Sequence, residues 1–431
     1  MEAVRRPRDG PRGRMFRRKL GAIHGPGPGG MPGRRYLAVA WNEPTMRVIF
    51  VNSSRIWGGN EKWTCEAAAG LIRRGHDVLL VGGSPLMAER ASSYGIRFHR
   101  LRLRGDGDIR GIVMLRRLFG RLHPDAVILT KMKEYWLGGI AAKLARVDKI
   151  YFRMGIDRPV KTNLKYRFLL GRVCDKFIVN SESVRDTLLK APFIRPEKIA
   201  IVKNGIATDK AGDVNPELMR SLGVPPNAKV VGATGRLAKQ KGFDVLIKAF
   251  KNVREKRPDA FLVIAGEGHE RKDLKRLAGR LDLSNGVSMP GFVEDMPSFY
   301  GGLDLFALPS RFEGMPNVVL EAMAAEVPVV ATDVSGVADL IKDRRTGHLV
   351  PAENPEELAS RIIEMLAGKD HRIELAKRAR RLIETDYDIE RMIGDLEEVL
   401  AEDHGHVRPR DVAASPSERR ALGHAPKEHV R

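Results

Sequence analysis

The stretch LDLFALPSRFEGMPNVVLEAMAAEVPVVATD, residues 303–333, is predicted to form a strand, a loop, a helix and a second strand. Its two apolar runs, LDLFALPS and PVVATD, are continuous rather than alternating, and Pro316 between them suits the first turn of a helix. Continuous apolar strands joined by helices are typical of a parallel sheet covered on both faces. The same stretch holds Glu313 and Glu321 among apolar residues, and buried carboxylates are costly unless a partner or a ligand satisfies them.

The same alternation extends over most of the chain. The runs RVIFVNS, DVLLVGG, DAVILT, KIYFRMG, KFIVNS and KIAIVKNG alternate with helical stretches, and the pattern restarts with KVVGATG after a polar segment. It predicts an α/β protein with two doubly wound parallel-sheet domains that face each other across a cleft, where a ligand can bind. The predicted organisation is a first domain at 46–205, a linker at 206–226, a second domain at 227–385 and a C-terminal helix at 386–402.

The two ends of the chain differ from this body. Residues 1–45 are rich in Gly, Pro and Arg and have no periodic apolar face, so they are predicted to be disordered, as is the tail at 403–431. Because the first strand begins beside Met46, we hypothesise that Met46 is the natural start. Native peptides from before Met46, found by mass spectrometry, would refute this.

Composition excludes several classes of protein. The chain has 431 residues, 43% of them apolar and 30% charged, which suits two globular domains. Cys65 and Cys174 lie far apart, which disfavours a disulfide framework or a zinc site and fits a reducing compartment. No apolar run approaches the ~18 residues of a membrane span, and the N-terminus lacks the apolar core of a signal peptide. A cytoplasmic enzyme is therefore predicted.

Positive charge is the strongest bulk property. Residues 1–45 carry +7 and 403–431 carry +2, so of the total of +21 the body keeps 21 − 9 = +12. Such a surface favours anionic partners, which include nucleic acid, anionic lipid and phosphorylated substrates. The predicted helix at 108–123 places Arg110, Arg117 and Arg121 on one side, and the stretch 158–172 adds five more basic residues. This helix is predicted either to dock on the sheet with a solvated basic face or to contact an anionic membrane.

Two strand-to-helix loops are candidates for binding a phosphorylated ligand. In NSSRIWGGNEKW, Gly58 and Gly59 follow the first strand and can let the backbone approach a substrate. In GATGRLAKQKGFDVL, Arg236 and Lys241 lie on the corresponding loop of the second domain. Two fixed cations beside a helix N-terminus suit a diphosphate and would stabilise it as a leaving group. No P-loop motif is present, and no Gly-x-Gly-x-x-Gly follows either first strand.

The helix that begins near Pro316 offers a second set of contacts. Its first turn leaves the amides near Asn317 and Val318 unpaired, where an anion or sugar hydroxyls can accept from them. Glu321 lies one turn deeper on the same face as Asn317, while Glu313 and Gly314 lie on the preceding loop. One carboxylate is therefore expected to reach the sugar of a ligand and the other its ribose.

In this order, the motifs resemble those of the retaining glycosyltransferases of family four, which have the GT-B fold of two facing Rossmann-like domains. The resemblance covers roughly 46–402. GGNEKW is similar to the family's first-domain glycine loop and GRLAKQKG to its diphosphate-binding loop. GFVED is similar to the base-contacting loop, and EGMPNVVLE to the Glu-x7-Glu motif.

The resemblance implies roles for individual residues. Arg236 and Lys241 would hold the donor diphosphate, Glu313 would contact the transferred sugar, Glu321 the ribose, and the Val293 backbone the base. It implies transfer of a hexose-type sugar from a UDP- or GDP-linked donor, with retention and with neither a cofactor nor an obligatory metal. A lipid-linked or envelope glycan is the expected acceptor, which would place the enzyme at the inner face of the cell membrane.

Three positions depart from the family pattern. Met154 stands where a His is frequent, and the neighbouring Arg153 is hypothesised to contact an anionic acceptor instead. Ala207 stands where Asp is usual, and Glu326 where Gly is usual, so a changed hinge and a changed turn are expected.

Two other functions stay open on the sequence. One is a nucleotide-sugar epimerase of the same fold. The other is a basic nucleic-acid-binding protein, although no recognition motif is present and the tails supply +9 of the charge.

Overall fold

The computed structural model describes residues 46–208 and 215–403. It contains two sheets in which the strand pairs are parallel. The elements of the first domain are β1 (Arg47–Val51), α1 (Gly59–Arg73), β2 (Asp77–Gly82), α2 (Pro85–Ser93), β3 (Arg97–Arg100), α3 (Ile109–Leu122), β4 (Ala126–Leu129), α4 (Met132–Ala145), β5 (Lys149–Met154), α5 (Leu164–Phe168), β6 (Lys176–Val179), α6 (Glu182–Leu189) and β7 (Ile199–Ile201).

The second half of the chain repeats this architecture and ends in three helices. Its elements are α7 (Pro216–Ser221), β8 (Lys229–Thr234), α8 (Phe243–Lys256), β9 (Ala260–Ala265), α9 (Arg271–Arg280), β10 (Val287–Gly291), α10 (Met296–Gly301), β11 (Leu305–Leu308), α11 (Asn317–Ala324), β12 (Val329–Thr332), β13 (His348–Val350), α12 (Pro355–Ala367), α13 (Lys369–Asp386) and α14 (Ile389–Asp403).

The strand orders confirm the predicted doubly wound fold. The first sheet runs β3-β2-β1-β4-β5-β6-β7 and the second β10-β9-β8-β11-β12-β13, so in both the order reverses beside the first strand of the domain. At this reversal the loops after the two central strands diverge and leave a crevice at their carboxyl ends. Each sheet has an apolar core on both faces, as its continuous apolar strands require.

The last helix returns to the first domain. Ile393 of α14 is fully buried and packs where a side chain on Gly70 of α1 would stand, since a Cβ there would lie 2.2 Å from its Cδ1. Where the chain crosses back, the amide of Ile206 donates to Tyr387 O at 2.8 Å and the amide of Ile389 donates to Ile206 O at 3.0 Å. The two crossings between the domains therefore lie side by side as a paired hinge.

Some elements differ from the sequence prediction. The helices α2, α6, α7 and α10 and the edge strand β3 were not predicted. Within the basic stretch 158–172 the chain forms α5, followed by a single π-helical turn. The expected linker contains α7, while 209–214 lie outside the described residues. The disorder predicted for 1–45 and for nearly all of the tail likewise falls outside them, and the domain boundaries stay predictions.

Candidate active site

The glycine loop of the first domain faces the start of α11 across the cleft. A Cβ on Gly59 would lie 3.6 Å from Asn317 Nδ2. The Asn317 side chain also accepts a 2.6 Å hydrogen bond from Asn204, which lies on the hinge segment. No side chain caps the N-terminus of α11, so its first amides remain available to a ligand. The structure thus brings Gly59 and Asn317 together at one point of the cleft.

The loops at the carboxyl ends of β8 and β11 carry two side chains of opposite charge that form an ion pair. Lys241 Nζ lies 2.6 Å from Oε1 of Glu313, and the Ser310 hydroxyl donates to the same oxygen at 2.6 Å. Glu313 is buried, so the positive charge of Lys241 offsets the free-energy cost of keeping a carboxylate there. Arg236 is exposed, and among the described residues no hydrogen bond or ion pair occupies it. Its guanidinium is free to receive an anion.

Arg311 stabilises the loop that carries Glu313. Its guanidinium donates to both carboxylate oxygens of Asp244 at 2.9 Å, and it also pairs with Glu353. Its amide donates to Gln240 O at 2.8 Å. Bidentate pairs of this kind fix geometry as well as charge. The loop of Glu313 is thereby held in register with the loop of Lys241.

Glu321 is paired across the cleft. Its Oε1 lies 2.5 Å from Nζ of Lys62 on α1, and its Oε2 accepts a 2.8 Å hydrogen bond from the Tyr300 hydroxyl. Burial lowers the pKa of Lys62, but the nearby charges of Glu321 and Glu66 more than offset it and hold that pKa above its ordinary value. Burial and Glu321 together raise the pKa of Tyr300. Lys62 therefore stays a cation and Tyr300 stays a hydrogen-bond donor.

The two domains touch through backbone at Gly314. A Cβ on Gly314 would stand 2.2 Å from the carbonyl oxygen of Gly155 in the first domain. On its other side Gly336, with φ of 77°, leaves no room for a Cβ, which would lie 1.5 Å from Gly314 O. Gly314 thus permits an approach of the domains that a larger residue would block.

Arg153 lies deeper than a surface contact residue would. Its side chain donates to Asn60 at 3.2 Å and to Asn204 at 2.9 Å, and its guanidinium carbon lies 4.4 Å from the centroid of the Trp63 ring. Burial lowers its pKa to about 10. Arg153 therefore joins the glycine loop to the hinge, and its contact with an acceptor stays a hypothesis.

Two further positions concern turns of the second domain. Val293 is buried after β10, whereas the preceding Phe292 is 60% exposed beside the expected base-contacting backbone. Glu326 has φ of 55°, in the left-handed region that favours glycine. This explains why a glycine is usual there: Glu326 holds a left-handed turn behind α11, and a changed turn stays an expectation.

The sequence did not identify four polar residues of the cleft: Lys62, Tyr300, Asn204 and Ser310. Lys62 stands inside the GGNEKW motif, but its partner lies 259 positions away, so no local pattern marks the pair. Ser310 precedes Glu313 by three residues and could have been recognised as a local donor to it.

Within 46–208 and 215–403, no group of three or more His, Cys, Asp or Glu is arranged to hold a metal ion. None of the helices that the structure describes has the length and apolar character needed to cross a membrane.

Both halves of the chain match known families. Residues 57–210 match the model described as Glycosyltransferase Family 4, and residues 214–382 match the model described as Glycosyl transferases group 1.

Individual proteins extend the match over most of the chain. An uncharacterized glycosyltransferase of Haemophilus influenzae is 28% identical over 355 residues, which cover 80% of this chain and 96% of that protein. The UDP-Gal:alpha-D-GlcNAc-diphosphoundecaprenol alpha-1,3-galactosyltransferase of Escherichia coli is 25% identical over 309 residues, which cover 68% of this chain and 79% of the relative.

A solved structure shares the fold. The crystal structure of Anabaena HepE in complex with UDP-glucose superposes with a TM-score of 0.74 and 23% identity, covering 83% of this chain and all of that one.

Proposed function

Because the chain belongs to the group 1 and family 4 glycosyltransferases of GT-B fold, we propose that it moves a hexose-type sugar from a nucleotide-diphospho-sugar to an acceptor hydroxyl, with retention of configuration. The observation that carries this proposal is the convergence of charge in the cleft. Arg236 and Lys241 lie at the carboxyl end of the first strand of the second domain, and Glu313 lies 2.6 Å from Lys241.

The donor is bound mainly by the second domain. The Arg236 guanidinium and the Lys241 ammonium take the diphosphate and stabilise the negative charge that develops on it as the sugar bond breaks. Two cations can supply this stabilisation without a divalent ion, so we propose a metal-independent reaction. The amides of Asn317 and Val318 and the carboxylate of Glu313 orient the transferred sugar, while Glu321 takes the ribose hydroxyls.

Two contacts complete the donor site. The backbone at Val293 takes the base, and the loop of Gly58 and Gly59 approaches the diphosphate from the first domain. We propose UDP as the nucleotide, since the E. coli relative is named for a UDP-sugar and the HepE structure holds UDP-glucose.

The acceptor is a lipid-linked saccharide at the inner face of the cell membrane. The E. coli relative acts on a sugar attached to diphosphoundecaprenol. In this chain α3 buries Leu115, Leu118 and Phe119 in the core, yet leaves Ile109 73% exposed. On α5, Leu164 is 83% exposed.

We call the exposed side of these two helices the basic face. Lys165 joins them, since it bonds to Asp106 just before α3 and lies 4.7 Å from the centroid of the Trp136 ring. The exposed cations of α3, of α5 and of the segment before α5 are Arg110, Arg117, Arg121, Lys161 and Arg167. Exposed apolar side chains among cations suit an anionic bilayer, at about 1 kcal/mol per basic residue near the surface.

Vesicle sedimentation tests the basic face. The protein should pellet with vesicles rich in phosphatidylglycerol and not with phosphatidylcholine alone. The double variant Arg110→Glu/Arg117→Glu should no longer pellet. The control Arg280→Glu, at an exposed position on α9 of the second domain, should pellet like the wild type. If both variants pellet equally, the basic face is not the membrane-binding surface.

The donor is tested by thermal shift with UDP-, GDP- and ADP-sugars. A donor at 100 times its dissociation constant stabilises the protein by about 2.7 kcal/mol, so a UDP-sugar should raise Tm and Lys241→Met should reduce the rise. Transfer is then followed as UDP release that depends on a lipid-linked acceptor, and the anomeric configuration of the product is read by NMR. Release without any acceptor dependence, or an inverted product, would contradict the proposal.

A further inference from the structure

The cross-cleft ion pair of Lys62 and Glu321 joins the two domains at the donor site. Lys62 belongs to α1, directly after the glycine loop, and Glu321 belongs to α11 of the second domain. Their charged atoms lie 2.5 Å apart, and their side chains are only 29% and 15% exposed. A pair this sheltered is screened less by salt than a surface pair, and it can hold only when the cleft is closed.

The pair leaves Glu321 able to bind a ligand. A carboxylate has about four acceptor positions, two on each oxygen. Lys62 uses one position on Oε1 and the Tyr300 hydroxyl uses one on Oε2. Hydroxyl donors of a ribose can therefore reach the remaining positions while Lys62 stays in place. The lysine also offsets the cost of keeping the carboxylate charged in a partly dry cleft.

We infer that Lys62 is a positioning residue that closes the first domain onto the nucleotide held by the second, through its ion pair with Glu321. The inference rests on the proposed function, since it takes Glu321 as the ribose contact. Donor binding and domain closure are then coupled: the carboxylate that reads the ribose is also the anchor for α1, which carries Gly58 and Gly59 to the diphosphate.

The variant Lys62→Met tests this coupling, because it keeps much of the side-chain volume and removes the charge. Loss of a hydrogen bond between charged groups should weaken UDP binding, measured by calorimetry, at least about tenfold. The donor KM should rise in the same proportion, with a smaller change in kcat. Small-angle scattering without nucleotide should give a larger radius of gyration than for the wild type.

Three further variants make the result specific. Lys62→Arg should recover most of the affinity and the compact form, and Lys62→Gln replaces Lys62→Met if the latter does not fold. Lys251→Met, at an exposed site on α8 where the lysine has no hydrogen bond or ion pair among the described residues, should match the wild type in every measurement.

Failure of the inference and failure of the proposed function have different signatures. Wild-type protein that does not bind UDP would reject the proposed nucleotide, yet the scattering comparison would still test the ion pair. If UDP binds and both affinity and radius of gyration are unchanged in Lys62→Met, the positioning role is overturned.

Discussion

Substitution of Gly314 by alanine should separate donor binding from transfer. The new Cβ would stand 2.2 Å from the carbonyl oxygen of Gly155, whereas ordinary van der Waals contact begins at 3.4 Å. The domains must therefore move apart by at least 3.4 − 2.2 = 1.2 Å at this point. Both groups belong to the backbone, so no side-chain rotation can relieve the overlap.

This displacement is expected to lower the rate of sugar transfer. A misplacement of about 1 Å between reacting groups can lower a rate by a factor of about 100. We expect Gly314→Ala to lower kcat by about that factor in an assay of acceptor-dependent UDP release. The UDP dissociation constant, measured by calorimetry, should change by about tenfold or less, because Arg236 and Lys241 lie within the second domain.

A matched control is Gly279→Ala. A Cβ on Gly279, which lies on α9, meets nothing within 4 Å, so this variant should keep full activity. The reasoning is refuted if Gly314→Ala retains a kcat within about threefold of the wild type, since the domains would then react without the close approach.

The remaining predictions concern charge, backbone and packing. Lys241→Met should lower kcat about 100-fold in the same assay, and unchanged kinetics would remove its role at the diphosphate. Glu326→Gly should raise the free energy of unfolding in urea by about 1 kcal/mol, because it relieves a left-handed backbone; a loss would contradict this. His348 is buried and burial lowers its pKa below 6.5, so the unfolded chain binds the proton first as pH falls. Stability should therefore drop from about pH 6.5 downward, and His348→Phe should flatten that drop in pH-dependent denaturation. Ile393→Ala should cost about 2–5 kcal/mol, measured by thermal unfolding, whereas a near-neutral change would show that α14 does not anchor on α1.

The fold could be predicted because both faces of each sheet are covered. Burial on both faces makes the strands continuous apolar runs, which are visible without any partner information. The edge strand β3 carries RFHR, half-exposed and polar, and therefore gave no such signal. The missed helices α2, α7 and α10 are short, yet Ser84, Asn215 and Asp295 cap them with a proline in the first turn. That start signal was present in the sequence and could have identified all three.

The site was predictable only within each domain. Glu313 and Lys241 lie on neighbouring loops of one sheet, and the carboxyl ends of parallel strands bring such loops together. The partner of Glu321 comes from the other domain, so it depends on how the domains pack and not on local spacing. The sequence indicated that both glutamates need a partner or a ligand, and the structure shows that a lysine pairs with each.

These two pairs differ in what they can do. Lys241 and Glu313 belong to one domain, so their separation is fixed whether the cleft is open or closed, and they offer a preorganised charge for the donor. Lys62 and Glu321 belong to different domains, so their pair forms only when the domains close, and its presence marks the closed state. An enzyme that must exclude water during transfer benefits from having both kinds of pair. The fixed pair keeps the donor site rigid, and the cross-cleft pair lets the domains close before the reaction. The same chemical pairing, a lysine with a sheltered glutamate, thus serves as a fixed contact on the loop before α11 and as a closing contact on α11 itself.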